Sequence, residues 1–473
     1  MLNLLKLPYR GEHYVIRFVF LILYSCSFGI IVDYWESWLI FSIVLYIILV
    51  IHFSKAFSDP LNIHSFSIIL IGLYALPSTI LILQGDISLD SQESLRLFSS
   101  ISLGLIGYTF GAVSFKKLFS RGNRKRRQLS IKLNRLFWLT YKYRYILVFI
   151  CLVVLFFRGL MPLSMSYSES VIYRMETPGV IEYFTSLIKT VFSTLTIAMI
   201  SIIGDLRKFK RLSWLSYLLI IIVLLEIVGG HRGWLVALFA CLLIAFKRFL
   251  KRKTYTYISI GILALLMIFL LSGGVRAARG DASITQIFNN FYTYFLNIDF
   301  STALFWGLSD LTSPFSTFIT LVKNIPQNIS FEYGAYINDF SLLIPTVIYP
   351  DRPLPYNVWY VKMFEPGLFR GGGGFTFYVI GFGYLFAGPV GALFHLFLFG
   401  AFFEYLNKSF RMIGGDAGLF LYSHFFILLM SFVVGCGFAV FIKGFLMYFC
   451  IPIFLLFLFA AFLDFLRTKK RIG

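Results

Sequence analysis

Two arginines three residues apart, Arg276 and Arg279 in Gly274-Val-Arg-Ala-Ala-Arg-Gly-Asp281, are the first residues here whose types and spacing suit a definite chemistry. On a helix that spacing puts both side chains on one face, and two planar guanidinium forks side by side can grip one diphosphate. Arg232, in the turn Gly229-Gly-His-Arg-Gly-Trp234, adds to them, because the flanking glycines let the backbone approach a ligand and leave the side chain few other positions. Arg174, Arg352 and Arg370 extend the set. Among the acids, Asp281 lies closest to the paired arginines, and Glu332, Asp339 and Asp351 are further candidates for a general base. His231, beside Arg232, has an ordinary pKa suited to the same task. Each has a plainer role as well. A lone arginine at a membrane boundary reaches for lipid headgroups, Arg232 can cap its helices or pair with Glu226, and a loop acid is often simply solvated.

Tyr333, Tyr336, Tyr349, Tyr356, Trp359, Tyr360 and Phe375 offer faces that stack on sugar rings, against a background of 19% aromatic residues. Trp and Tyr also gather at membrane interfaces without any ligand. Glu226 and Lys189 fall inside apolar runs, where an ion pair is the economical reading, and His395 reads as a packed residue.

The elements that position these residues are membrane helices. With 59% hydrophobic and 14% charged residues and a mean hydropathy of +0.82, the chain has too little polar surface to cover a soluble core. Runs of about 20 apolar residues recur, each long enough as a helix to cross the hydrocarbon layer. The fold class expected is therefore an all-α polytopic integral membrane protein. Twelve spans are predicted, near 14–32, 37–54, 64–84, 96–115, 145–162, 183–203, 212–229, 233–247, 255–272, 376–402, 418–438 and 444–465. The N-terminus reads as an uncleaved first helix, since no small-residue cleavage site follows it. Residues 1–272 then hold spans one to nine, 273–375 form one long outer insertion, and 376–473 hold spans ten to twelve.

Charge tests the count. Lys116 to Arg144 carries eleven basic residues and no acid, and Arg207 to Arg211 and Lys247 to Lys253 carry four and five basic residues. Asp33 to Glu36 and Gln84 to Glu93 carry acids only. This alternation follows the positive-inside rule and predicts a cytoplasmic basic loop at 116–144, an outward insertion and both termini inside. The arginines named above are then exceptions on the outer face, which a polyanionic ligand there would explain. The formal net charge of +20 belongs to this topology and not to nucleic-acid binding. The five cysteines all lie in apolar runs without paired spacing, which argues against disulfides and zinc. Gly371 to Gly374 lacks the Lys and Ser or Thr of a nucleotide loop. Within the insertion, Ile284 to Leu308 and Phe315 to Val322 are expected as helices along the membrane surface, with a prolyl-rich cap after them and room for a re-entrant segment near Leu342 to Ile348.

The sequence resembles the O-antigen polymerases, the Wzy-type enzymes that join lipid-linked oligosaccharide repeat units. Four features carry the resemblance: Arg174 after span five, the Gly-His-Arg-Gly turn, the run Tyr333-Gly-Ala-Tyr-Ile…Ile344-Pro…Tyr349-Pro-Asp-Arg-Pro353, and Ile380-Gly-Phe-Gly-Tyr-Leu-Phe-Ala-Gly388. Together they cover about half the chain. Many relatives carry an acid where this chain has Phe382, and that role does not transfer. The related ligases place a histidine in the long loop, whereas none lies between Gly273 and Gly374.

The resemblance implies a glycosyltransferase of GT-C type on the periplasmic face of the bacterial inner membrane. It implies undecaprenyl-diphosphate-linked oligosaccharide as donor and acceptor, no cofactor or metal, and a chain-length regulator and a flippase as partners. Arg232, Arg276 and Arg279 would meet the leaving diphosphate and Asp281 would act as base. Arg174, Arg352, Arg370, Tyr333, Tyr336 and His231 would hold substrate. A flippase for the same lipid is the alternative outside enzymes, although no repeat marks matching halves. The ligase is the other.

Overall fold

The computed structural model describes residues 35–56, 62–118, 123–147, 149, scattered positions between 184 and 198, 293, 313–344, 348–367, 376–435 and 437–472. The spans expected at 14–32, 212–229, 233–247 and 255–272 lie outside them. Every regular element in the described residues is helical. In chain order these are α1 (Trp35–Ala56), α2 (Ile63–Gln84), α3 (Ser91–Leu118), α4 (Asn123–Lys142), α5 (313–324), α6 (Ala335–Ser341), α7 (Tyr356–Phe364), α8 (Val379–Ile413), α9 (Gly415–Val434), α10 (Phe438–Phe445) and α11 (Ile451–Ile472), with a π turn (Leu446–Cys450) between the last two. Five of the described helical stretches are long and apolar enough to cross a membrane. Local chemistry sets their ends. Asn62 caps α2 by accepting from the Ser65 N–H at 2.9 Å. Asp90 and Glu93 form a reciprocal box before α3, the side chain of each accepting from the other's N–H at 2.6 and 2.9 Å.

The chain forms two compact units. The first comprises residues up to 121, Phe315–Asn338 and Phe377–Leu406. Its α3 and α8 approach until their backbones touch. A Cβ added at Gly107 would lie 2.0 Å from the Leu393 carbonyl oxygen, one at Gly111 2.1 Å from that of Phe397, and one at Gly400 2.0 Å from that of Tyr108. Gly107 and Gly111 are a four-residue glycine repeat of the kind that lets membrane helices pack by van der Waals contact where water supplies no drive. Residue numbers rise together along α3 and the part of α8 it touches, so the two run parallel.

Span ten was expected as one helix over 376–402, and the structure differs. At Ala387 (φ −157°, ψ 40°) and Gly388 (φ 61°, ψ −146°) the path leaves helical geometry. A Cβ at Gly391 would lie 2.0 Å from the Gly383 carbonyl oxygen. Residues eight apart on a straight helix are separated by about 12 Å, so the chain has doubled back there. Arm 379–386 lies against arm 389–406, and the positive φ explains the glycine at 388.

The segment expected as a helix at Phe315 to Val322 is helical and packs its apolar residues into the first unit. It is α5, and Phe315, Phe318, Leu321 and Val322 are fully buried. Phe315 meets the Tyr378 ring at 5.3 Å, and the Tyr378 hydroxyl donates at 2.8 Å to the carbonyl of Ile71, well inside α2. One face of this helix is buried in the unit, while Ser313, Ser316, Thr320 and Lys323, at helical spacing, form the less buried face. Further along the unit, His64 joins Tyr108 at 3.0 Å and Glu404 at 2.9 Å, linking α2, α3 and α8 through a buried polar cluster.

The second unit comprises 122–314, Asp339–Thr376 and Asn407–Gly473. Basic helix α4 crosses the N-terminal end of α9: Ser130 donates to the Ile413 carbonyl, Asn134 accepts from the Ala417 N–H at 3.2 Å, and Phe137 packs on Phe420 at 5.5 Å. Gly414 and Gly415, with φ of 57° and 60°, make the tight turn there. The opposite end of α9, some 30 Å away, meets the insertion residues described below. The basic segment and the insertion residues around Asp339 therefore occupy opposite ends of α9.

Replacing Gly107 with Val forces overpacking against the α8 backbone and should cost about 1–3 kcal/mol, read as a lower Tm of the full chain in detergent. Gly444→Ala, where a Cβ meets nothing within 4 Å, should be neutral or stabilising by up to about 1 kcal/mol. Equal Tm values for the two variants would contradict this packing.

Candidate functional site

Two charged side chains of the insertion, Asp339 and Arg352, gather with Lys443 of α10 just past the end of α9. Helix α6 is short because Leu342, Leu343 and Ile344 continue it only as i to i−3 turns, their N–H groups bonding the carbonyls of Asp339, Phe340 and Ser341 at 3.0–3.1 Å. The carbonyls of Leu342 and Ile344 are thereby left pointing outward, and two cations take them. Arg352 Nη1 donates to Ile344 O at 2.9 Å and Leu342 O at 3.3 Å, and Lys443 Nζ donates to Leu342 O at 3.1 Å. Both nitrogens sit in the hydrogen-bonding shell of one carbonyl, close enough to repel each other. Among the described residues neither has a carboxylate within ion-pair distance.

Asp339 fixes the arrangement from the other side. It is fully buried, and its Oδ2 accepts from the Ala439 N–H at 2.6 Å in the first turn of α10. A carboxylate at a helix N-terminus satisfies a donor that the helix cannot satisfy itself, and its charge suits the helix dipole. Oδ1 has no hydrogen-bond partner among the described residues. A Cβ on Gly437 would stand 2.0 Å from Oδ1, so only glycine leaves room for the carboxylate. Burial pushes the Asp339 carboxyl up from 3.8 to about 6, and the backbone N–H groups of Ala439 and Val440 only partly offset it. Ala439 and Lys443 are four apart on one face of α10, so Asp339 and the Leu342 carbonyl lie along successive turns of the same helix.

Arg352 is thus brought into a site with Asp339 and Lys443. Asp351 beside it is exposed. Tyr333 is 73% exposed and free of the ring cage that holds Tyr336. In the first unit the Tyr336 hydroxyl bonds His395 Nδ1 at 2.7 Å, and its ring is enclosed by Phe382, Phe386 and Phe394 at 4.9–5.5 Å. It wedges between the two arms of α8. Tyr356 and Tyr360 are buried in α7. Glu332 donates its N–H to the Leu385 carbonyl at 2.9 Å. Arg174, His231, Arg232, Arg276, Arg279, Asp281 and Arg370 lie outside the described residues, as do Lys189, Glu226 and Phe375.

Two cations escaped the sequence reading. Arg96, in the second turn of α3, donates to the Ile325 carbonyl at 3.3 Å, which also accepts from the Tyr384 hydroxyl at 2.9 Å. Lys443 is the other. Each is a single charge at the edge of an apolar run, where it reads as a span boundary. Among the described residues no three His, Cys, Asp or Glu side chains are grouped as metal ligands.

The raised carboxyl gives a signed prediction. A folded pKa above the unfolded one adds stability that is complete below 3.8 and is lost as pH rises through about 6. The span between the two values corresponds to roughly 3 kcal/mol at most. Between pH 7 and pH 5 the wild-type chain should therefore gain Tm relative to Asp339→Asn. Parallel profiles would refute the burial of a charged carboxylate. Gly437→Ala should lower Tm at both pH values by displacing the side chain.

No protein family, no curated protein and no solved structure matches this chain.

Proposed function

We propose that this protein is a glycosyltransferase that polymerises undecaprenyl-diphosphate-linked oligosaccharide repeat units on the periplasmic face of the inner membrane, built on twelve spans of GT-C type with both termini inside. The observation that carries the reading is the convergence of Arg352 and Lys443 on the Leu342 carbonyl without an acidic partner among the described residues. They sit at the end of α9 opposite the basic helix α4. Cations concentrated on the side that the positive-inside rule depletes call for an anionic ligand, and a lipid diphosphate supplies one at that depth.

In the reaction, the bond between the donor's anomeric carbon and its diphosphate oxygen breaks. A bond from that carbon to the acceptor's hydroxyl oxygen forms, the hydroxyl proton passes to Asp281, and undecaprenyl diphosphate departs. Negative charge grows on the leaving oxygen, so fixed guanidinium groups favour the transition state over the ground state. Arg232, Arg276 and Arg279 take this role. Arg352, with Lys443 now beside it, holds the second lipid diphosphate together with Arg174, while Arg370, His231, Tyr333 and Tyr336 serve the glycan. Asp339 is a positioning residue: by docking α6 on α10 it presents the carbonyls that aim both cations.

In a strain lacking the chromosomal gene, plasmid copies carrying Arg352→Ala with Lys443→Ala should be inserted in the membrane normally yet shorten the surface glycan by at least tenfold in mean repeat number, on the order expected for losing two charged contacts. A wild-type glycan ladder from that double variant would refute the site.

A further inference from the structure

The basic helix α4 has two faces with different fates. One is fully employed, with Ser130, Asn134, Phe137 and Thr140 turned to α9 and the end of α8 or to their own helix. Tyr143 just past its end donates at 3.0 Å to Asp464 near the end of α11. The other face presents Ile131, Arg135, Trp138 and Lys142 at spacings of four, three and four, with Lys132 alongside, all exposed. Ile131 is 65% and Trp138 48% exposed. Lys142 pairs with Asp464, and Arg144 lies over the rings of Tyr141 and Tyr145 at 4.0 and 4.3 Å.

Neither water nor hydrocarbon suits this stripe. Water leaves Ile131 and Trp138 unburied, and hydrocarbon strips Arg135 and Lys132 of solvation. The headgroup layer serves both kinds of side chain, and α4 lies at the right level for it, across the ends of α9 and α11 where apolar runs stop. With eleven Lys and Arg and no acid between Lys116 and Arg144, the charge complementarity is with anions. We infer that α4 lies in the plane of the membrane surface and binds anionic phospholipid headgroups through Lys132 and Arg135, with Ile131 and Trp138 seated in the acyl boundary beneath them. This site is separate from the insertion and does not depend on what is transferred there.

The test is native mass spectrometry of the full-length protein in detergent, titrated with phosphatidylglycerol or with phosphatidylcholine of the same acyl chains. Wild type should bind phosphatidylglycerol at least about fivefold tighter, and Lys132→Gln with Arg135→Gln should weaken it by roughly tenfold while leaving phosphatidylcholine unchanged. Trp138→Ala should weaken both lipids alike. Equal affinities in the wild type would overturn the inference. A double variant of unchanged Tm that keeps the preference would place the site elsewhere and overturn it too, as would a dimer that the double variant abolishes, since the stripe would then belong to a second copy.

Discussion

A carboxylate withdrawn from water must be met by positive charge or by donors, and at the insertion end of the second unit Asp339 is met by the first N–H groups of α10. The rest of that end follows from this contact. It requires the glycine at 437, it holds the C-terminal turns of α6 beside α10, and it thereby gives Arg352 and Lys443 the Leu342 carbonyl to share. Burial costs the charged carboxyl more than two peptide donors return, so its pKa stands near 6. The contact is thus an anchor held against the cost of burial, and the cations beside it have no carboxylate partner among the described residues.

In the first unit the corresponding constraint is steric. The backbones of α3 and α8 touch along Gly107, Gly111 and Gly400, and the arms of α8 touch along Gly383 and Gly391. Contacts this close replace the hydrophobic drive that a membrane helix lacks. They leave a narrow cleft that the Tyr336 ring fills, with its hydroxyl on His395. A motif that reads as one span becomes a helical hairpin in this way.

Much of this was legible from residues alone. Apolar run length located α1, α2, α3, α9 and the α10 to α11 stretch within a few positions. What sequence hid was tertiary in origin. The reversal at Ala387 and Gly388 depends on Gly391 meeting Gly383, a pairing that hydropathy cannot register because the whole stretch is uniformly apolar. The burial of α5 depends on Tyr378 and Tyr384, which lie far along the chain. Asp339 looked like one acid among four, and only its partner at Ala439, a hundred residues later, sets it apart. Lys443 is hidden in the sequence because a single charge at the edge of an apolar run reads as a span boundary.

The account's central claim is that lipid-linked repeat units are joined at this outward cationic site. The most direct measurement reconstitutes the purified chain in liposomes with the undecaprenyl-diphosphate-linked repeat unit as sole substrate and follows both glycan length and free undecaprenyl diphosphate. The account predicts lipid-linked glycans of two or more repeats, with one undecaprenyl diphosphate released for each repeat added. Repeat units that cross the bilayer unchanged in length, with no diphosphate lipid released, would contradict it and identify a transporter instead.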